Sequence, residues 1–331
     1  MEENNLSHKK LSSSEIGNLW MTYQYKTMMK TMMNHFIATQ KNEKIKEMLQ
    51  TYQSEEGAFI EEVKQLFQKE EARIPVGFGE SDVFLEEPRL YDEYFDLLFL
   101  RLMMKITIGL NSLHLSMSYR EDIIDLYYRM DSHSNLTYKK CTTFLLEEGV
   151  LTRPPIVEMP KNVEFVESTA YMSNINYILN EKRPLNCIEV SLIYQGIESN
   201  ILGMQLMRGF EQVSSKKDIK DFFKEGKELS KIIIQKYSKV LLDSDIQPPA
   251  VSWGNTTEST HAPFSEKLMM YLTSLLSNFG LTSNAIGTSF SLRSDLPTKM
   301  TLTAKDIYEY AKKGGKLMIK MGYMEQPPST H

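Results

Sequence analysis

Apolar positions recur at three- and four-residue spacing along most of the chain, the signature of amphipathic helices. The clearest stripe is Ile45, Met48, Leu49, Tyr52, Phe59, Val63, Leu66 and Phe67. A second stripe, Ile219, Phe222, Phe223, Gly226, Ile233, Tyr237, Val240 and Leu241, repeats that spacing 174 positions later without a gap. The residues before each stripe agree as well: Glu15-Ile16 with Glu189-Val190, and Leu19-Trp20 with Ile193-Tyr194. Further on the offset is 173, and Ser116, Ser118, Arg120 and Asp122 meet Ser289, Ser291, Arg293 and Asp295. A drift of one residue is what a loop absorbs. The ordered series makes the chain an internal duplication.

Each copy reads as four helices. The pattern predicts them over 13–40, 42–71, 88–117 and 134–148, and again over 185–213, 215–243, 263–290 and 301–321. Ser12-Ser13-Ser14-Glu15 offers hydroxyl caps with a carboxylate in the first turn. Gly149 and Gly322 are natural helix stops, each followed by Pro-Pro a few residues on. The first link in each copy is one or two residues, which forces an antiparallel hairpin. The second is long, over 72–87 and 244–262, as needed to cross the length of a ferritin-like bundle. The expected organisation is all-α: two tandem ferritin-like four-helix bundles over 11–155 and 183–328, joined by a partly helical linker over 156–182.

Composition narrows the class. Of 331 residues, 41% are hydrophobic and 24% charged, which supports a core and excludes a disordered chain. There are 21 methionines against 16 glycines and 12 prolines, a bias toward helix. A net charge of -5 argues against a broad nucleic-acid surface, and two cysteines cannot build a disulfide framework. No apolar run at the start resembles a signal peptide, and the 97–110 segment is broken by Arg101 and Lys105. The expectation is a cytoplasmic protein without a membrane span.

Chemistry is harder to find. A di-iron bundle needs a Glu from two helices and Glu-x-x-His from the other two. Glu56 faces the core, but Phe59 stands three residues after it, and its counterpart is Ser230. The one Glu-x-x-His, Glu258 to His261, falls in a crossover loop. No metal or other cofactor is expected, and no phosphate loop, nucleotide fingerprint or nucleophile motif is present. The chain is therefore not expected to be an enzyme. The stripe Ile16, Leu19, Tyr23, Thr27 and Lys30 continues to Asn34, whose counterpart is Arg208. Asn34, Glu56 and Arg208 are thus candidate linings of a polar pocket for a small-molecule ligand, against the plainer reading of satisfied helix ends. His114 reads as a core histidine rather than a ligand. Arg120 with Asp122, and Arg293 with Asp295, form the best duplicated polar constellation, either capping the fourth helix or meeting a partner. The paired methionines, such as Met28-Met29 and Met32-Met33, read as gap-filling core or an adaptable surface.

The end of the second copy carries a resemblance. Ser291 to Leu296, Tyr310-Ala311-Lys312-Lys313-Gly314-Gly315, and Gly322-Tyr323-Met324-Glu325-Gln326-Pro327-Pro328 resemble the C-terminal signature of spore-coat F-type proteins. Tyr323 stands where that signature usually has Trp. With Pro263 to Met270, nearly the whole chain resembles the tandem family of spore-forming bacteria known as domain of unknown function 3231. The resemblance implies two ferritin-like bundles and no catalytic residue. It suggests a non-enzymatic structural or interaction protein, spore-associated, with a protein partner or self-association. A small-molecule or metal-binding protein with a pocket inside one bundle is the alternative.

Overall fold

The computed structural model describes residues 10–173, 183–250 and 254–329. Its eight long helices are α1 (Ser13–Thr39), α2 (Glu43–Lys69), α3 (Phe95–Ser116), α4 (Glu121–Glu147), α5 (Cys187–Val213), α6 (Lys217–Leu242), α7 (Glu266–Phe290) and α8 (Asp295–Lys320). They form two tandem four-helix bundles, and no strand is present among the described residues. None of these helices is long and apolar enough to cross a membrane.

The local rules are visible at the ends. Ser12 caps α1 with a reciprocal capping box to Glu15, and Asn186 does the same for α5 with Glu189. Gly149 and Gly322 adopt the left-handed conformation that ends α4 and α8, with paired backbone bonds closing each terminus. Glu71 and Asp245, equivalent positions after α2 and α6, take the same conformation at φ 55° despite their side chains.

Two helices begin earlier than the pattern predicts. α4 starts at Glu121, not at 134, because Arg120 holds an extended backbone at the cap and its carbonyl accepts from Ile123 and Ile124. Ile123, Leu126, Tyr127 and Met130 then enter the core. α8 likewise starts at Asp295 rather than 301. α3, by contrast, starts at Phe95 rather than 88. The backbone of Leu90 and Asp92 is committed to another segment: Thr257 N–H donates to Leu90 C=O and Asp92 N–H to Asn255 C=O, each at 2.9 Å. Phe84 N–H similarly donates to Pro263 C=O, and Ser265 N–H to Asp82 C=O. Residues 254–269 and 318–329 accordingly belong with 10–150 to one compact unit, while 151–173, 183–250 and 270–317 form the other.

The two cores share a backbone plan but not a packing. In the first, Leu19, Val63, Phe67, Ile123, Leu126 and Met130 gather. In the second, Ile193, Ile197, Ile233, Tyr237, Leu296 and Met300 do so. Bulk has changed sides between them. Tyr52 on α2 corresponds to Gly226 on α6, and Thr137 on α4 to Tyr310 on α8. A Cβ at Gly226 would stand 2.7 Å from Tyr310 Cζ, so one ring fills the space from the opposite helix. Met48 and Cys141 likewise become Phe222 and Gly314, and a Cβ at Gly314 would stand 2.7 Å from Phe222 Cζ. Interiors this dense tolerate such exchanges only when made together. Gly226→Ala should cost about 1–3 kcal/mol, and the cost should shrink in a Tyr310→Ala background. A urea double-mutant cycle checks this; equal costs in both backgrounds would contradict the packing account.

Candidate functional site

One polar arrangement occurs in both bundles. Glu15 Oε1 accepts from the backbone N–H groups of Tyr119 at 2.9 Å and Arg120 at 2.8 Å. Glu189 Oε1 accepts from Leu292 at 3.1 Å and Arg293 at 2.9 Å. The carboxylate that caps the first helix thus also holds the turn between the third and fourth. Burial opposes the charge on Glu15, but donors from Ser12, Tyr119 and Arg120 outweigh it and hold its pKa below the usual range. Glu189 is held low in the same way, with the Arg183 guanidinium first among the groups that overcome burial.

The duplicated arginines sit beside these carboxylates. Arg120 grips Asp122 through Nε and Nη2, at 2.7 and 2.8 Å, and donates Nη1 to Glu70 at 2.5 Å. Arg293 grips Asp295 and donates Nη1 to the Arg183 carbonyl. Both guanidinium groups are buried, at 2% and 1% side-chain exposure, and each is occupied by groups of its own bundle. Such fork-shaped pairs fix orientation as well as charge. The arrangement ties helix ends together.

A second cluster belongs to the first bundle alone. Lys26 on α1 places its ammonium 2.8 and 3.0 Å from the two oxygens of Glu56 on α2, both side chains being 1% exposed. The ammonium also lies 4.9 Å over the Phe59 ring. His133 on α4 stacks on Tyr52 at 5.5 Å and sets Nδ1 2.7 Å from Glu55 Oε2. Glu55 can only accept, so Nδ1 carries the proton and Nε2 a lone pair. Nε2 lies 3.8 Å from Glu56 Oε1 and has no hydrogen-bond partner. Burial, with Glu56 adding to it, pushes the Tyr52 pKa well above the usual range. A cavity of about 310 Å³ opens on the outer side of this pair, lined by Met48, Tyr52, Glu55, His133, Leu136 and Phe144 among others. Cys141 lines it too, but burial pushes its thiol up to about 12 and leaves it unionised at neutral pH.

A family model described as "Protein of unknown function (DUF3231)" matches residues 1–163 and 173–331. The chain belongs to this family. No curated protein matches it. Among solved structures, the chain is similar to a protein from Bacillus halodurans C-125 provisionally titled a spore coat protein. The identity is 17% and the TM-score 0.41, over 45% of this chain and 97% of that one.

Within this DUF3231 chain the sequence-derived site residues separate. Glu56 is buried, whereas Asn34 is half-buried and accepts a hydrogen bond from Gln53 Nε2. Arg208 is exposed, which corrects its expected place on an inward stripe, and Lys30 on the equivalent face of α1 is exposed too. The polar face of α1 that enters the core is one position round, through Thr22 and Lys26. Sequence reasoning missed Lys26, Tyr52, Glu55 and His133 as a group. Helical spacing carried the signal: Lys26 lies on the line of Leu19, Thr22, Met29 and Met33, all buried. The eight methionines paired at 28–29, 32–33, 103–104 and 269–270 are likewise all buried.

His114 is a core histidine, with Nδ1 3.4 Å from Thr22 Oγ1, which in turn meets Tyr127 Oη at 3.1 Å. Burial lowers its pKa to about 4, and burial also lowers those of His35 and His133. The unfolded chain takes up a proton at His114 near pH 6.5 and the folded chain only near pH 4. Stability from this group is therefore complete above pH 6.5 and lost as pH falls toward 4, by up to about 3 kcal/mol. Urea midpoints should fall across that window, and less steeply in His114→Gln. Parallel slopes for the two proteins would contradict this assignment.

Proposed function

We propose that this protein is a non-enzymatic structural or interaction protein, spore-associated as its C-terminal signature suggests. The observation that carries the reading is the Lys26–Glu56 pair. Glu56, turned into the interior of the first bundle between α1 and α2, is neutralised by an ammonium of the same bundle. In the second bundle the same positions are Asn200 and Ser230, and neither pairs charges. Interiors closed by their own side chains leave the surface to act. The linker supplies apolar surface for this, since Ile156, Val163 and Phe165 are each at least 85% exposed.

The cavity beside Tyr52 and His133 favours a second reading, in which the first bundle holds a small molecule. Metal analysis and native mass spectrometry on untagged, chelator-free protein separate the two. The structural reading predicts the mass of the bare chain or of its multimers, with no stoichiometric iron, manganese or organic ligand. A stoichiometric metal or ligand would overturn it.

A further inference from the structure

The centre of the first bundle has the parts of a cation site arranged around something that is already a cation. We infer that Glu56, His133 and Tyr52 form a latent site for a divalent transition-metal ion, and that the Lys26 ammonium occupies it and keeps such ions out. The inference rests on the non-enzymatic reading above, in which the wild-type interior is closed by its own charges.

Three observations on the cluster lead there. Glu56 directs both oxygens inward and spends both on Lys26, at 2.8 and 3.0 Å. His133 has its Nδ1 proton fixed by Glu55, at 2.7 Å, which turns the Nε2 lone pair toward Glu56 Oε1 at 3.8 Å. A carboxylate behind a histidine is the outer-shell arrangement that orients metal-bound imidazoles. Finally, His133 Nε2 is a buried atom without a hydrogen-bond partner, on a residue 7% exposed. Buried polar groups are rarely left so, because each unmade bond costs free energy. A metal ion between Glu56 Oε1 and Nε2 would use both lone pairs, with Tyr52 Oη or water completing the shell.

Lys26 prevents this by charge and by position. Its ammonium holds the carboxylate a metal would need, and a divalent ion beside it would meet a like charge across a few ångströms. At such separations the repulsion is large even with generous screening. The second bundle shows the set dismantled: the counterparts of Lys26, Tyr52, Glu55, Glu56 and His133 are Asn200, Gly226, Leu229, Ser230 and Asp306. Asp306 is exposed, and Asn200 donates back to the Gly196 carbonyl of its own helix.

The test is cobalt(II) titration followed by visible absorption, with zinc competition, on wild type, Lys26→Ala and Lys26→Ala/His133→Ala. Lys26→Ala should bind one cobalt per chain about 100-fold or more tighter than wild type, with tetrahedral or five-coordinate ligand-field bands that zinc abolishes. The double variant should lose that binding. Zinc should also raise the melting temperature of Lys26→Ala and leave that of wild type unmoved, which reads the site even if the bare variant is only partly folded. Lys26→Gln provides a second neutral background of similar length. Failure of both single variants to bind above wild type, or to be stabilised or refolded by zinc, would overturn the latent site and leave the structural reading standing. Stoichiometric binding by wild type would overturn both.

Discussion

A charge taken into a helical bundle must be answered on the spot, because water is no longer there to answer it. That constraint organises both halves of this protein. Glu15 and Glu189, besides their contacts with Ser12 and Arg183, accept from backbone N–H groups of a turn more than a hundred residues away, so neutralising them also joins α1 to the α3–α4 connection and α5 to the α7–α8 connection. Arg120 and Arg293 are answered by Asp122 and Asp295 at the start of the helices they precede. Asp96, at 1% exposure, is answered by Arg89 and Gln40. Glu56 is answered by Lys26. In each case the partner comes from another element or across a helix boundary, so satisfying the charge also positions the backbone.

Duplication kept the arrangements at the helix ends and let the interiors drift. The glutamate cap, the arginine–aspartate fork and the left-handed residues after α2 and α6 recur at equivalent positions. They fix where helices begin and end. Side chains in the middle of the bundles can be exchanged in pairs, as Tyr52 and Thr137 are for Gly226 and Tyr310, because a ring can enter the same space from either helix. The polar cluster around Glu56 went the same way, with every charge of the buried pair removed from the second copy. An interior that loses both members of such a pair loses no uncompensated charge.

Helix number, the repeat and the glycine stops were legible in the sequence because each rests on local spacing or local backbone chemistry. The starts of α4 and α8 were not. α4 follows an N-cap arginine, Arg120, that makes no side-chain cap bond, and polar residues at 128, 129, 131 and 132 obscure the apolar line of Ile123, Leu126, Tyr127 and Met130. The start of α3 was hidden for a different reason: residues 90 and 92 give their backbone groups to residues 255 and 257, and no local signal reports a pairing that distant. The inward direction of Glu56 was visible from Tyr52 and Phe59 on the same helix. Its partner was not, because α1 is buried on most of its circumference and no solvent face marks which polar residue turns inward. For the same reason Arg208 and Asn34 looked like core positions.

The claim on which the account turns is that Lys26 is the structural counter-ion of Glu56 in the wild-type chain. A stability cycle over Lys26→Met, Glu56→Leu and the double variant tests it most directly. Each single change strands a buried charge or removes its partner, and should cost about 3–5 kcal/mol, while the double change should recover most of that loss. Single costs that add in the double variant would show that the two side chains do not answer each other, and would contradict the account.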